Sequence, residues 1–175
     1  TAAVLLNTYE EQDIKRVLRS YGELNNAHAI ARKLCATRTE SPFETIEQLK
    51  DCLQSFTPSF KQHQFFAKVF QALRIEVNKE MEALEMLLLQ CGEMLAEDGR
   101  LVCLSYHSLE DRLVKKYMKA GNLTGDQTKD FYGNLLRPFE AVGKQPVAPS
   151  EQEIADNNRA RSAKLRIARR TNEPV

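Results

Sequence analysis

A chain of 175 residues, 42% of them hydrophobic, is long enough to bury one good core, or one core and a small satellite. With 25 Lys and Arg against 24 Asp and Glu the formal net charge is +1, which excludes a strong global attraction to nucleic acid and leaves any such binding to a local patch. There is no signal-peptide pattern, and no apolar run approaches the roughly 18 residues of a membrane span. The expectation is a soluble, cytoplasmic protein with no membrane partner.

Residues 1 to 67 read as short helices making a small helical subdomain. "EEQDIKRVLRSYGE" places Ile14, Val17, Leu18 and Tyr21 on one helical face, and Gly22 stops it. "NAHAIARKLCATR" repeats the pattern through Ala27, Ile30, Ala31 and Leu34. "SPFETIEQLKDCLQSF" predicts a helix from Ser41 as N-cap, with Pro42 in its first position, Glu44 three residues after Ser41 and a stripe of Phe43, Ile46, Leu49 and Leu53. A long helix is expected over 65 to 97, carried by Phe70, Leu73, Val77, Met81, Leu84, Leu88, Cys91 and Leu95, with Gly99 as its cap. "RLVCLSY" then reads as a continuous apolar strand covered on both faces. Ser108 and Asp111 form a capping-box-like pair for a helix over 108 to 120.

Helix, strand, helix in that order is half of a doubly wound α/β sheet. Farther on, "GNLTGDQTKDFYGN" is a polar loop, 138 to 143 holds a short strand, "SEQEIADN" a capped helix and "SAKLRIARR" a period-2 strand. The four cysteines, at 35, 52, 91 and 103, form no CxxC pair and read as buried free thiols. No two of His28, His63 and His107 share a predicted helix, so neither a metal site nor a metal-dependent hydrolase is expected.

Three blocks, "FQALRIEVNKEM" (70 to 81), "LAEDGRLVCLSYHSLEDRLVKKYM" (95 to 118) and "NNRARSAKLRIARR" (157 to 170), closely resemble the bacterial ribosomal small-subunit RNA cytosine-N4 methyltransferases, the RsmH or MraW family. "YGELNNAHAIARKL" (21 to 34) is similar to that family's helical insertion. The resemblance spans nearly the whole chain. It implies methyl transfer from S-adenosylmethionine to the exocyclic nitrogen of a cytosine in the decoding centre, with small-subunit rRNA or the 30S subunit as partner. The fold it implies is α/β: a partial class I methyltransferase (Rossmann-like) sheet over 68 to 175 with a helical insertion over 1 to 67, mostly helical by content.

The family's glycine-containing cofactor loop, ribose-binding acid and aspartate motif find no counterpart here, since the seven glycines are scattered. The chain therefore resembles the carboxy-terminal portion of such an enzyme, inactive alone, with no cofactor-binding residue of its own and no assignable catalytic residue. "KQHQFFAKVFQ" (61 to 71) stands where the family commonly has Pro-Ala-Thr-Arg. The alternative is a non-catalytic helical module that binds RNA or protein.

Ligands of open α/β sheets bind outside the carboxyl ends of the strands. The strand 100 to 106 would deliver Ser105, Tyr106 and His107 there, Tyr106 to stack on a flipped base and His107 to bond a phosphate or base edge. The bland alternative buries Tyr106 and spends His107 on a turn. Ser108, Glu110 and Asp111 are assigned to capping and helix-dipole complementarity. Arg74 and Asn78, one helical turn apart, either face substrate or pair structurally. The run Arg159, Arg161, Lys164, Arg166, Arg169 and Arg170 contains no acid. It either contacts RNA, best through Arg161 and Ser162, or protects an edge strand. An unpaired edge on "LVCLSY" further predicts a homodimer burying residues of 84 to 106.

Overall fold

The computed structural model describes residues 1–173. Their contacts separate a unit Thr1–Glu80 from a second that begins at Met81.

The first unit is entirely helical among the described residues: α1 (Ala2–Thr8), α2 (Glu11–Ser20), α3 (Ala27–Glu40), α4 (Ile46–Leu53) and α5 (Gln62–Asn78), with two 3-10 turns between α4 and α5. Its core joins Ile14, Val17 and Leu18 of α2 to Ile30, Ala31 and Leu34 of α3, as the helical spacing predicts. Phe65, Phe66, Val69, Ala72 and Leu73 of α5 complete it. This shared burial carries the division to Glu80, beyond the boundary expected after residue 67. At Gly22 an added Cβ would stand 2.8 Å from the Leu18 carbonyl oxygen and 3.0 Å from that of Lys68. Glycine is there for close approach.

Two expected boundaries shift. Ser41 closes α3 as its C-cap, and α4 begins at Ile46 behind Thr45, whose hydroxyl and Gln48 form a capping box. Ser41 and Glu44 have the same capping spacing, but the Asn7 side chain takes both the N–H and the carbonyl of Phe43 at 2.9 Å and holds that residue out of a helix. The long helix is two helices. Lys79 adopts a left-handed conformation (φ 52°, ψ 42°) and its N–H bonds the carbonyls of Ile75 and Glu76, ending α5 before α6 (Glu80–Met94) begins. An unbroken 3-or-4 spacing cannot reveal a one-residue break that preserves the apolar face.

The second unit is mixed. After α6 come β1 (Arg100–Ser105), α7 (Ser108–Ala120), β2 (Phe139–Ala141), α8 (Glu151–Asp156) and β3 (Lys164–Arg170). The sheet order is β1-β3-β2, and β3 is antiparallel to both neighbours, with Ser105 opposite Lys164 and Ala141 opposite Ala168. β1 and β2 thus run parallel to one another. The architecture is α/β, mostly helical, and consistent with a partial Rossmann-like fold.

Leu88, Leu101, Leu113, Val114, Tyr117, Met118, Phe139 and Ala168 form its core. The turn into β1 uses a left-handed Asp98 (φ 63°), not Gly99, as its special residue. β1 is covered on one face only: Leu101 and Ser105 are buried, whereas Val102 and Leu104 are 54% and 53% exposed. Among the described residues β1 pairs only with β3.

Candidate nucleic-acid interface

At its carboxyl end β1 hands the chain to α7 through Tyr106 and His107. His107, not Ser108, is the N-cap, and it forms a capping box with Glu110. The Glu110 N–H donates to His107 Nδ1 at 3.3 Å, while Glu110 Oε2 accepts from the N–H of Tyr106 at 2.9 Å and of His107 at 3.4 Å. Because Nδ1 accepts, the other imidazole nitrogen carries the proton. Nε2 lies 3.3 Å from Glu110 Oε1, yet it is buried without an aligned hydrogen bond. Both ring nitrogens thus lie against Glu110, Nδ1 in the capping box and Nε2 in a close contact that is not aligned as a hydrogen bond. Tyr106 is 56% exposed beside it, contrary to the core-packing alternative. Ser105 is buried and its hydroxyl donates to the Lys164 carbonyl at 3.3 Å, tying β1 to β3.

Asp111 corrects the capping assignment. It is buried, and its carboxylate accepts from Arg166 Nε at 2.7 Å, Arg166 Nη2 at 3.1 Å and Lys164 Nζ at 3.2 Å. The Arg166 guanidinium, helped by Lys164, holds its carboxyl below the usual carboxylate range against the opposing effect of burial. The S-x-x-D spacing was real but misleading. Only the β1–β3 register brings two cations of β3 over the start of α7.

The same register resolves the basic run residue by residue. Lys164 and Arg166 belong to Asp111. Arg169 pairs with Asp98 and Glu140. Arg170 donates to the carbonyls of Pro138, Thr171 and Glu173 and lies 5.7 Å from the Phe139 ring centre. Arg159 and Arg161 remain, exposed and without an ion pair among the described residues, in the 3-10 turn Asn158–Ser162. Buried Ala160 between them pins that turn, and the Asn157 side chain caps it by accepting from the Arg159 N–H at 3.1 Å. Since Lys164 lies opposite Ser105, this turn and the Tyr106–His107 corner occupy the same edge of the sheet.

Arg74 and Asn78 sit in the first unit, at the end of α5. Arg74 Nε and Nη2 reach Glu80 at 2.8 and 3.0 Å, and Asn78 Nδ2 reaches it at 3.2 Å. Together they clamp the α5–α6 junction. Among the described residues no group of three or more His, Cys, Asp or Glu could hold a metal. Burial pushes the thiols of Cys35 and Cys103 up, away from the reactive thiolate.

A model of the MraW methylase family matches residues 1–171. The chain belongs to that family. It is 50% identical over 171 residues to the ribosomal RNA small subunit methyltransferase H of Amoebophilus asiaticus, covering 98% of this chain and 55% of that protein. The protein of the same name from Flavobacterium psychrophilum is 49% identical, over 96% of this chain and 57% of its own. That of Bacteroides fragilis is 48% identical, over 96% and 55%. The chain thus spans a little over half the length of these relatives.

Proposed function

We propose that this chain is the carboxy-terminal portion of an S-adenosylmethionine-dependent methyltransferase acting on a cytosine N4 in the small-subunit decoding centre of the cytoplasmic ribosome. The first unit serves as the inserted helical domain and the second as part of the catalytic sheet. One observation carries the reading. An exposed Tyr106, the His107 that caps α7 beside it, and Arg159 and Arg161, which make no ion pair among the described residues, share one sheet edge, in a chain half identical to proteins named for rRNA methylation.

On this reading Tyr106 stacks on an unstacked base, and His107 turns its Nε2–H from the Glu110 carboxylate to a base edge or phosphate. Arg159, Arg161 and Ser162 hold the RNA backbone. Ser105, Arg74 and Asn78 position rather than touch substrate, since their polar atoms are engaged within the fold. Methyl transfer to an amine is chiefly a matter of alignment.

The residues described here do not fit a complete S-adenosylmethionine pocket, because β1 is followed by the His107 cap and β2 by a single glycine, Gly143. No step is therefore derived through the cofactor. The test is methyl transfer to isolated small subunits by the full-length protein. Tyr106→Ala and His107→Asn should each lower kcat/KM at least tenfold, and unchanged rates would remove both from the site. Transfer failing even with the unaltered full-length protein would favour the non-catalytic module.

The open face of β1 adds a proposal about association. Val102, Leu104 and Tyr106 are exposed there, and α6 exposes Met86, Leu87, Leu89 and Met94. So much uncovered apolar surface beside a strand whose second edge has no partner among the described residues is a template for pairing, and a second copy of this chain is the proposed occupant.

A further inference from the structure

A cleft of about 350 Å³ opens between α7, β2 and the loop that follows β2, large enough for a small ligand or a nucleotide. Met118, Phe139, Val142, Pro146 and Ile167 line it with apolar surface. Its rim is charged: Lys115, Lys119, Arg137, Lys144, Arg166 and Glu140. Two of these charges are already spent, Arg166 on Asp111 and Glu140 on Arg169. The other four, all cations, have no acidic partner among the described residues. Lys115 and Lys119 are one turn apart on α7, so both face the same opening. The cleft lies where β2 ends, beside Arg166 and Ile167 of β3.

Gln127 and Arg137, which line the cleft, are the two feet of a small hairpin closed by the Lys129–Leu135 bridge. Its tip is fixed. Asp130 Oδ1 and Oδ2 accept from the Asn134 N–H and side-chain amide at 2.8 and 2.9 Å, and Gly133 takes the left-handed φ of 87° that the turn requires. That rigid tip presents Phe131 and Tyr132 to solvent, 98% and 86% exposed, with their rings edge to face at 5.6 Å. Two large aromatics held out on a braced turn contribute nothing to the core. Exposed aromatic rings above a cationic channel are the combination that binds single strands, bases stacking on rings while phosphates follow the charge.

We propose that the cleft and the 127–137 hairpin form a second contact for single-stranded RNA, separate from the Tyr106–His107 corner. The phosphodiester backbone lies along Lys115, Lys119, Arg137 and Lys144, and one or two bases stack on Phe131 and Tyr132. Four residues separate Gln127 from Phe131, at most about 14 Å of extended chain, so one short RNA segment reaches both. The inference rests on the reading of this protein as an RNA methyltransferase and places a substrate contact that orients RNA without reaching the methylated base.

The chain contains no tryptophan, so Phe131→Trp installs a single reporter on an exposed site. A labelled oligoribonucleotide titrated into this chain should quench that tryptophan and raise the label's anisotropy at the same concentrations. Phe131→Ala with Tyr132→Ala should weaken binding about 5- to 150-fold, at an unchanged salt slope. Neutralising Lys115, Lys119, Arg137 and Lys144 to Gln should instead flatten the slope of log K against log salt by about 3.

RNA binding that is lost on Arg161→Glu but indifferent to tip and cleft variants would overturn this contact and leave the RNA reading intact. Absence of any RNA binding by the unaltered chain would sink both. Inorganic polyphosphate binding as tightly as RNA, with the tryptophan unquenched, would reduce the cleft to a plain anion site and overturn the proposal. Thermal melts matching the unaltered chain exclude misfolding of the variants.

Discussion

Asp111→Ala removes one carboxylate and strands two cations. Arg166, only 18% exposed, loses a two-pronged hydrogen bond of 2.7 and 3.1 Å, while Lys164 is 46% exposed and finds water at little cost. Breaking a buried pair from one side costs about 3–5 kcal/mol. Because Lys164 is half exposed, the low end, about 3 kcal/mol, is the expectation. For a unit of this size that lowers the melting temperature by roughly 10–20 °C.

Hydrogen exchange of the β1–β3 amides reports on the second unit directly and should lose protection in step with the melt. Replacing both partners, Asp111→Ala with Arg166→Met, should recover most of the loss, since an apolar pair leaves no uncompensated charge. The pH dependence has a definite sign. The folded carboxyl titrates below its ordinary value, so its stabilisation is fully present above about pH 4 and is lost as pH falls through the depressed value. A melt shifted by less than about 2 °C in Asp111→Ala, with unchanged acid sensitivity, would refute the pairing as a stabilising element.

Four further outcomes are expected. His107→Ala should cost about 0.5–2 kcal/mol through loss of the α7 cap, visible in urea melts, and His107→Asn should recover most of it because asparagine also caps. Lys79→Gly should stabilise the first unit by up to about 1 kcal/mol, because glycine accepts the left-handed junction that lysine adopts under strain, whereas Lys79→Val should destabilise it. Calorimetry should show no saturable binding of S-adenosylmethionine by this chain, and a micromolar dissociation constant would contradict that. Sedimentation at low micromolar concentration should reveal a dimer, weakened by Val102→Lys with Leu104→Lys, and a single species at the 20.0 kDa of one chain would refute association through β1.

Periodicity and local chemistry by themselves determined most of the elements. The stripes of α2 and α3 bury the residues their spacing predicts, and Ser150 caps α8. The strand at Lys164–Arg170 appears where its alternation places it. These features depend on neighbours within a few positions, which a sequence displays directly. The family, too, was legible, because its blocks are contiguous runs.

What only the tertiary structure decided is who pairs with whom. A run of six cations without an acid reads as one basic patch, yet four of them are engaged. Asp111, Asp98, Glu140 and backbone carbonyls reach them from 29 or more positions away in most cases, and among the described residues only the Arg159 and Arg161 side chains are left unengaged. The reverse holds at the cleft. Lys115, Lys119, Arg137 and Lys144 are scattered in sequence and become a rim only when β2 packs beside α7. Charge is a property of single residues, but the field that a ligand meets is set by register and packing, and those are fixed by contacts that local spacing does not encode.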